Sequence, residues 1–377
     1  MSFPPLVEPG PALEPGQQRR YARHTRLAES GDLGQRRLAA ARVLVVGAGG
    51  LGSPSLTYLA AAGVGTLGIV DDDIVEASNL HRQPLHGESD LGAAKVDSAA
   101  ARLAEINPLV TVRTHRERFS AASAQELVRD YDLVVDGADN FATRYLVTDA
   151  CALAGIPHVW ASLNTFAGQL SVWWAGRGPC YRCVFPQAPP PGSVASCAEA
   201  GVLGVLPGVL GALQAAEAIK LLTGVGEPAV GRLLLHDALT GSWDEVPVRA
   251  RTDCALCGET PTITAVVESG VTAEVPLVTA ADLAARLDSP DLVVLDVRER
   301  EEFSEGRIEP SVHLPLRDVV SGAEAETMAR WAADEVPVIV YCRSGARSAE
   351  AVRHLLDVGV AGARSLDGGI IAWNEQS

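Results

Sequence analysis

The feature that most constrains this chain is a glycine-rich hexapeptide, Gly47-Ala48-Gly49-Gly50-Leu51-Gly52, between two apolar segments. Residues 43–46 before it have the composition of a short buried strand, and residues 53–62 after it form an alanine-rich helical stretch. Glycines at such a strand-to-helix turn let backbone N–H groups approach a phosphate at the helix N-terminus. The motif therefore predicts a nucleotide site on an α/β sheet.

Strands and helices continue to alternate along the first half of the chain. Apolar runs predict further buried strands at residues 67–70, 110–112, 133–135 and 157–161. A second alanine-rich helix is predicted over residues 93–106, where Asn107-Pro108 would end it. This order is typical of a doubly wound, Rossmann-like sheet.

The length of 377 residues fits two domains better than one core. A proline- and acid-rich lead, residues 1–16, is expected to be flexible, and a first domain should span residues 17–262. A linker is expected over residues 263–276. A new, smaller α/β pattern then starts and predicts a second domain over residues 277–377.

Composition limits the function classes. The formal net charge of −16 argues against a broad nucleic-acid surface. The apolar stretch 202–222 is interrupted by Gln214, Glu217 and Lys220, which favours a buried helix over a membrane span. Without a secretory leader pattern, a cytoplasmic protein with reduced thiols is expected, so the seven cysteines point to metal binding and catalysis.

Charged residues after the second predicted strand bear on which nucleotide binds. That strand ends in Asp71-Asp72-Asp73, which places a carboxylate near a ribose and leaves an NAD site open. Residues 78–83 and Lys95 then supply two cations and an amide. Hydride transfer needs no such cluster, whereas adenylation must stabilise charge on the α-phosphate and on pyrophosphate.

Together, Gly47 to Gly52, Asp71, residues 78–83, Lys95 and Asp139-Asn140 resemble the MoeB/ThiF branch of the ubiquitin-activating (E1-like) superfamily, over about residues 17–260. The resemblance implies a homodimer that uses ATP and Mg²⁺ to attach AMP to the C-terminal glycine of a ubiquitin-like sulfur carrier ending in Gly-Gly. The nucleotide-binding positions it implies are Gly47, Gly49, Gly50, Gly52, Asp71, Asp73, Ser78, Asn79, Leu80, His81, Arg82, Lys95, Asp139 and Asn140.

Within that set, the resemblance places Gly50 against the phosphates and Asp71 on the ribose. Asn79, Arg82 and Lys95 would surround the triphosphate, and Asp139 would organise Mg²⁺ and take part in catalysis with Arg82. The segment from Tyr21 to His24 is similar to an N-terminal motif of the family, which implies that Arg23 reaches the γ-phosphate in the partner subunit's site.

Four cysteines form two Cys-x-x-Cys pairs, and 70 residues separate the pairs. Such an arrangement favours a closed tetrahedral Zn²⁺ site, with disulfides or redox pairs as the alternatives. The proposed ligands are Cys180, Cys183, Cys254 and Cys257. Cys197 follows a proline- and glycine-rich loop and matches a family cysteine that links to the carrier, whereas Cys151 is predicted to lie in the core.

Cys342 is the stronger candidate nucleophile. It ends the apolar run 338–341, and the loop Cys342-Arg343-Ser344-Gly345-Ala346-Arg347 leads into a predicted helix over residues 348–356. Backbone N–H groups, Arg343, Arg347 and the helix N-terminus would lower the pKa of this thiol, so that it can carry sulfur as a persulfide.

The loop and its surroundings resemble the rhodanese family across residues 277–377. The motifs include 295–298, 302–308, 313–316 and 366–369, and Arg307 departs from the histidine that is common there. With the first domain, the pairing resembles molybdopterin-synthase adenylyltransferase/sulfurtransferase proteins. It implies that sulfur from thiosulfate or a cysteine desulfurase passes through Cys342 to an adenylated carrier, in a molybdopterin, thiamine or related pathway.

Two other functions stay open at this stage. One is an NAD-dependent dehydrogenase with an appended rhodanese domain, which the glycine loop and Asp71 allow. The other is a non-enzymatic adaptor that docks ubiquitin-like proteins. Docking would need none of Arg82, Lys95 or Cys342, and this favours the enzyme.

Overall fold

The computed structural model describes residues 3–189, 201–267, 275–287, 289–343 and 345–374. These residues form two compact units. The first contains residues 3–188 and 201–267, and the second contains the described residues from 275 onward.

An eight-stranded sheet organises the first unit, in the order β3-β2-β1-β4-β5-β6-β7-β8. Its strands are β1 Arg42–Val46, β2 Thr66–Val70, β3 Thr111–His115, β4 Leu133–Asp136, β5 His158–Asn164, β6 Ala167–Trp173, β7 Arg232–Asp237 and β8 Ser242–Pro247. The five strands from β3 to β5 are parallel, and β6 to β8 continue the sheet antiparallel. The predicted α/β class is confirmed.

The five predicted strands are all present, but β3 was predicted to be buried and is not. It lies at the edge of the sheet, where β2 is its partner, and its residues are exposed or half-buried. The apolar residues predict the strand itself, whereas its position at the edge depends on the order of the strands in the sheet.

Helices pack on this sheet. They are α1 Pro15–Arg20, α2 Gly31–Ala40, α3 Gly52–Ala62, α4 Lys95–Ile106, α5 Ala121–Arg129, α6 Phe141–Ala154, α7 Tyr181–Val184 and α8 Leu206–Thr223. The apolar α8 packs in the main core, with Leu206, Leu210 and Leu222 fully buried. Cys151, on α6, is buried in a second cluster as predicted. No helix in the described part of the chain is long and apolar enough to cross a membrane.

The start of the chain is more ordered than its composition predicted. Phe3 packs against Trp174 with 5.6 Å between ring centroids, and the Leu6 amide donates to the Leu221 carbonyl at 3.1 Å. Leu13 is 5 % exposed. Residues 3–14, for which the composition predicts a flexible lead, thus contact α8 and Trp174 in the structure.

A five-stranded parallel sheet forms the second unit, in the order β11-β10-β12-β13-β9. Its strands are β9 Leu277–Val278, β10 Val293–Asp296, β11 Val312–His313, β12 Val338–Tyr341 and β13 Ala363–Leu366. Its helices are α9 Ala280–Ala284, α10 Arg300–Glu305, α11 Leu316–Ser321, α12 Ala325–Ala333, α13 Ala346–Asp357 and α14 Gly369–Asn374. Two apolar clusters cover this sheet, one of which includes Cys342.

Candidate functional site

A cavity of about 340 Å³ opens at the carboxyl ends of β1, β2 and β4. Ligand sites in open α/β sheets lie at this edge, where the strand order reverses between β1 and β4. The residues predicted to bind nucleotide that line it are Gly47, Gly49, Gly50, Asp71, Asp73, Arg82, Lys95, Asp139 and Asn140.

Side chains from two directions hold the glycine loop. The Asp71 carboxylate accepts the Ala48 amide at 2.8 Å and the Asp73 amide at 2.9 Å. On the other side, His86 Nε2 donates to the Ala48 carbonyl at 3.0 Å, and its Nδ1 lies 2.8 Å from the Ser98 hydroxyl oxygen. Because a carbonyl can only accept, this contact requires a proton on Nε2 of His86.

Glycine is required within this loop. Gly47 has a φ of +91°, and a Cβ on Gly52 would lie 1.9 Å from the Gly47 carbonyl oxygen. Gly52 therefore allows the tight turn into α3 rather than lining the cavity. Burial raises the pKa of Asp71 against the opposing effect of the Ala48 amide, and burial lowers the pKa of His86.

Two cations and two acids define the polar side of the cavity. Lys95, at the start of α4, is almost fully buried, and its Nζ lies 2.7 Å from Asp73 Oδ2. Arg82 is held by a 2.6 Å hydrogen bond from its Nη1 to the Ser78 carbonyl. Asp139 is exposed at the opposite wall. The arrangement offers positive charge for a triphosphate and, in Asp139, an exposed carboxylate for a cation.

Four residues that were predicted to bind nucleotide lie behind the part of the cavity wall that contains Arg82. Ser78, Asn79, Leu80 and His81 do not line the cavity in the described chain. Asn79 is buried and its side chain donates to the Ser78 hydroxyl at 3.3 Å, which stabilises the turn that carries Arg82. Asn140 lines the cavity and also caps α6, since its Oδ1 accepts the Thr143 amide at 2.9 Å.

Some lining residues were not found from the sequence. Glu117, Arg118 and Phe119 follow β3 and reach the cavity because β3 lies beside β2. Arg144 is different, because the sequence identifies it as either a site residue or a solvated helix charge. In the structure it lines the cavity and is only 5 % exposed, and its guanidinium stacks on the rings of Phe141 and Trp160 at 4.9 and 5.5 Å. Arg23 is exposed and does not line the described cavity of its own chain.

The four paired cysteines come together away from this cavity. Their sulfurs lie 3.3 to 3.7 Å apart along four edges, and all are within 4.8 Å of one another. A tetrahedral Zn²⁺ with bonds of about 2.3 Å places its sulfurs about 3.8 Å apart. The cluster therefore fits a four-coordinate metal site with no open position.

Electrostatics in this cluster also suit a cation. Hydrogen bonds with Cys183 and Cys257, together with burial, raise the pKa of Cys180. Hydrogen bonds from Cys180 and Cys257 lower the pKa of Cys183. A divalent cation bound among these four sulfurs would replace the thiol protons. Ile263, predicted to begin the linker, packs against this cluster.

The second unit presents Cys342 at the end of β12. Its side chain is buried, and its sulfur accepts the Gly345 amide at 3.1 Å and lies 3.6 Å from the Ser348 hydroxyl. Gly345 has a φ of +106°, which turns its N–H toward the sulfur. A backbone N–H directed at a strand-end sulfur is suited to stabilise the negative charge of a thiolate or persulfide.

Arg347 does not stand free beside this sulfur. Its two terminal nitrogens lie 2.7 and 2.8 Å from the carboxylate of Glu302 on α10. The predicted effect of Arg347 on the thiol pKa therefore stays a prediction, and Glu302 is a partner that the sequence did not reveal. Cys197 lies outside the described residues.

Comparisons with known proteins agree with both units. Residues 21–256 match the model of the ThiF family, and residues 279–376 match the rhodanese-like domain. The chain is 45 % identical to the probable adenylyltransferase/sulfurtransferase MoeZ of Mycobacterium tuberculosis, over 100 % of the chain and 97 % of that protein. It is also 45 % identical to the adenylyltransferase and sulfurtransferase MOCS3 of Bos taurus, over 97 % of the chain and 88 % of that protein.

A solved structure is similar in fold. The structure of E. coli MccB with ATP matches with a TM-score of 0.56 and 22 % identity, over 63 % of this chain and 74 % of that one. At this level of identity the match supports the fold of the first unit.

Proposed function

The chain belongs to the ThiF family and ends in a rhodanese-like domain, and we propose that it activates and then thiolates the C-terminus of a carrier protein. It is an enzyme that combines adenylyltransferase and sulfurtransferase domains, as its full-length relatives do. The proposed carrier is ubiquitin-like and ends in Gly-Gly. We assign adenylation to residues 17–262 and sulfur transfer to residues 277–377.

One observation carries the proposal for the first domain. The glycine loop, Asp71, Arg82, Lys95 and Asp139 converge on one cavity at the switch point of the sheet. A triphosphate on Gly49 and Gly50 would meet both cations at the end from which pyrophosphate leaves. Asp139 would hold Mg²⁺, which supplies further positive charge to the phosphates.

In the first reaction, a carboxylate oxygen of the carrier attacks the α-phosphorus of ATP. The bond to the β-phosphate breaks, pyrophosphate leaves with the electron pair, and a carrier acyl adenylate remains. Lys95 and Arg82 balance the negative charge that builds on the phosphate oxygens. The carboxylate is already ionised at neutral pH, so the reaction needs no general base.

In the second reaction, the terminal sulfur of a Cys342 persulfide attacks the acyl carbon and AMP leaves. The carrier is then joined to Cys342 through an acyl disulfide. A second thiolate, for which we propose Cys197, attacks the Cys342 sulfur, so that the carrier leaves as a thiocarboxylate and a disulfide remains on the enzyme. An external thiol must reduce that disulfide before the next turnover.

Three further features belong to the proposal. Cys180, Cys183, Cys254 and Cys257 would bind a structural Zn²⁺ that joins α7 to the segment after β8. Two copies of the chain would form a homodimer, in which the exposed Arg23 of one copy reaches the triphosphate of the other. Their support is the geometry of the sulfur cluster and the family to which the chain belongs.

The first domain can be tested by pyrophosphate release. Purified protein with Mg·ATP should release pyrophosphate only when a ubiquitin-like carrier ending in Gly-Gly is present, and a carrier that lacks its last two glycines should fail. Arg82→Ala should lose this release, whereas Arg102→Ala, on the exposed face of α4, should keep it. Release that ignores the carrier, or tight binding of NAD in place of ATP, would contradict the proposal.

A further inference from the structure

A nearly buried arginine borders the cavity of the first unit without an acidic partner in the described chain. Arg144, in the first turn of α6, lines this cavity and is 5 % exposed. Its Nε has no hydrogen-bond partner among the described residues. The buried acids of β4 and α6 are already paired, since Asp136 contacts His158 and Asp149 contacts Arg182. A guanidinium removed from water in this way is costly unless an anion joins it.

Aromatic rings hold this guanidinium in place. Its central carbon lies 4.9 Å from the ring centre of Phe141 and 5.5 Å from that of Trp160. Trp160 packs in turn against Tyr181, with 5.4 Å between their ring centroids. Burial raises the pKa of Tyr181 against the opposing effect of Arg144, so this phenol stays neutral at neutral pH. The rings therefore position the cation without neutralising it.

The strand order places Arg144 across the glycine loop from Lys95. Lys95 pairs with Asp73, shortly after β2, whereas Arg144 follows β4 and stacks on Trp160 of β5. Strand β1 and its glycine loop lie between β2 and β4. In an in-line displacement, the entering and leaving groups lie on opposite sides of the α-phosphorus. With Lys95 on the side of the leaving pyrophosphate, Arg144 is on the side from which the carboxylate attacks.

The cavity wall near Arg144 suits a narrow chain end. Ser162 and Leu163 at the end of β5 border the cavity, as does Val202, which is bridged to Thr165 just after the strand. These side chains are uncharged, and a tail of glycines has no side chain to clash with them. The obstacle that remains is electrostatic, because a carboxylate and a triphosphate repel each other. A fixed cation beside the carboxylate offsets that repulsion.

We propose that Arg144 binds the C-terminal carboxylate of the carrier and positions it for attack on the α-phosphorus. An N–H group of the guanidinium holds one carboxylate oxygen, and the other oxygen faces the phosphorus. The charge of Arg144 also offsets the repulsion between the carboxylate and the triphosphate. This inference rests on the proposed adenylation of a carrier and assigns the residue that recognises the carrier's terminal group.

Equilibrium binding to the full chain tests this role. The protein is saturated with Mg²⁺ and α,β-methylene ATP, which cannot release pyrophosphate, and is titrated with the Gly-Gly carrier that supports pyrophosphate release. A second titration uses the same carrier with a C-terminal amide, which has a similar shape but no charge. The wild-type protein should bind the carboxylate form about tenfold more tightly. In Arg144→Gln the difference should fall to within about twofold, with the Kd of the amide form unchanged.

Three comparisons separate this contact from general support of the fold. Arg144→Lys keeps the charge without the planar fork and should retain a preference of about threefold. Arg177→Met removes an exposed arginine that stacks on Trp174 at 5.7 Å, away from the cavity, and should keep the full preference. The Kd of α,β-methylene ATP should stay within about twofold in every variant.

Four results would overturn the assignment. Equal binding of the two carriers by the wild-type protein would do so without any variant. So would an undiminished preference in Arg144→Gln, or a defect of that variant mainly in α,β-methylene ATP binding, which would place a phosphate on Arg144. Equal weakening of both carriers and of the nucleotide in Arg144→Gln and Arg144→Lys would mean that Arg144 only supports the fold.

The proposed function fails in a different way from this inference. If no Gly-Gly carrier supports pyrophosphate release from the wild-type protein, carrier adenylation itself is wrong. If carrier-dependent release occurs but the preference for the carboxylate form does not depend on Arg144, only the assignment of Arg144 fails.

Discussion

The two reactive loops of this chain follow parallel strands in the same way, yet they are held differently. The glycine loop after β1 is fixed by side chains from other elements, with Asp71 on its amide and His86 on its carbonyl. The loop after β12 holds its sulfur with the backbone amide of Gly345, and Glu302 on α10 pairs with Arg347 directly after the loop. The first loop borders a cavity of about 340 Å³, whereas the second surrounds one atom.

This difference matches what each loop must do. A nucleotide binds and leaves at every turnover, so the glycine loop must keep its conformation when no nucleotide is bound. Side chains from other elements are needed to hold it there. A persulfide stays covalently attached, so its loop needs only donors near the sulfur. Substitutions around the first loop should therefore weaken nucleotide binding and catalysis gradually. Removal of the Cys342 sulfur should abolish sulfur transfer.

The largest expected effect is from Cys342→Ala. Without this sulfur no persulfide forms, so thiocarboxylate production should fall by at least about 1000-fold, while carrier-dependent pyrophosphate release stays within about twofold. Parallel assays of the two products on one protein sample measure this separation. A similar loss of pyrophosphate release would show that the two loops do not act independently.

Lys95→Met should have the next largest effect. This buried cation faces the proposed triphosphate, and its removal should slow pyrophosphate release about 100-fold. Sulfur loading of Cys342 should not change. Arg102→Met on the same helix is the matched control, because Arg102 is exposed and pairs with Glu105. Equal losses in both variants would mean that net charge, rather than the position of Lys95, matters.

Metal loss should affect stability before it affects chemistry. A chelator that removes Zn²⁺ from the cysteine cluster should lower the Tm of the first unit by about 5 to 10 °C, since the binding energy of a structural metal contributes to folding. Cys254→Ser should show this lower Tm from the start and no further response to the chelator. Metal analysis of the wild-type protein should give about one zinc per chain. A wild-type Tm that ignores the chelator would rule out the structural site.

The smallest expected effect concerns pH and His86. Burial lowers the pKa of this histidine from its ordinary value of 6.5, so the folded state favours the neutral ring that donates to Ala48. The unfolded chain takes up the proton first as pH falls below about 6.5, and the free energy of unfolding then decreases. Asp71, Asp90 and Lys95 are the charged groups that act on this ring.

His86→Gln keeps a neutral donor but does not titrate. Between about pH 8 and about pH 5.5, wild-type protein should lose about 1 kcal/mol more stability than this variant, as measured by urea unfolding. If both proteins follow the same pH profile, His86 does not hold the loop in the manner described.

Much of this architecture could be predicted from the sequence because the signals are local. Residues 42–46, the glycines after them and the helix over 52–62 are contiguous, and so are β12, the Cys342 loop and α13. The four cysteines could be grouped by their spacing and thiol chemistry alone. Residues 78–81 were assigned to the nucleotide, whereas in the structure they form the turn behind Arg82.

What the sequence missed depends on the order of strands and on packing. His86 reaches Ala48 across 38 positions, and Glu302 reaches Arg347 across 45, so no local motif connects either pair. Phe119 borders the cavity because β3 lies beside β2. The composition of the proline- and acid-rich lead likewise does not reveal that Phe3 and Leu6 pack against the main core.

The central claim is that one chain couples adenylation in its first unit to sulfur delivery from its second. The most direct test is the intact mass of a Gly-Gly carrier after incubation with the protein, Mg·ATP, a sulfur donor and a reducing thiol. We expect a gain of about 16 Da, the replacement of one oxygen by sulfur, that requires ATP, the donor and Cys342 together. A gain that persists without ATP or in Cys342→Ala, or no gain despite pyrophosphate release and a loaded Cys342, would contradict it.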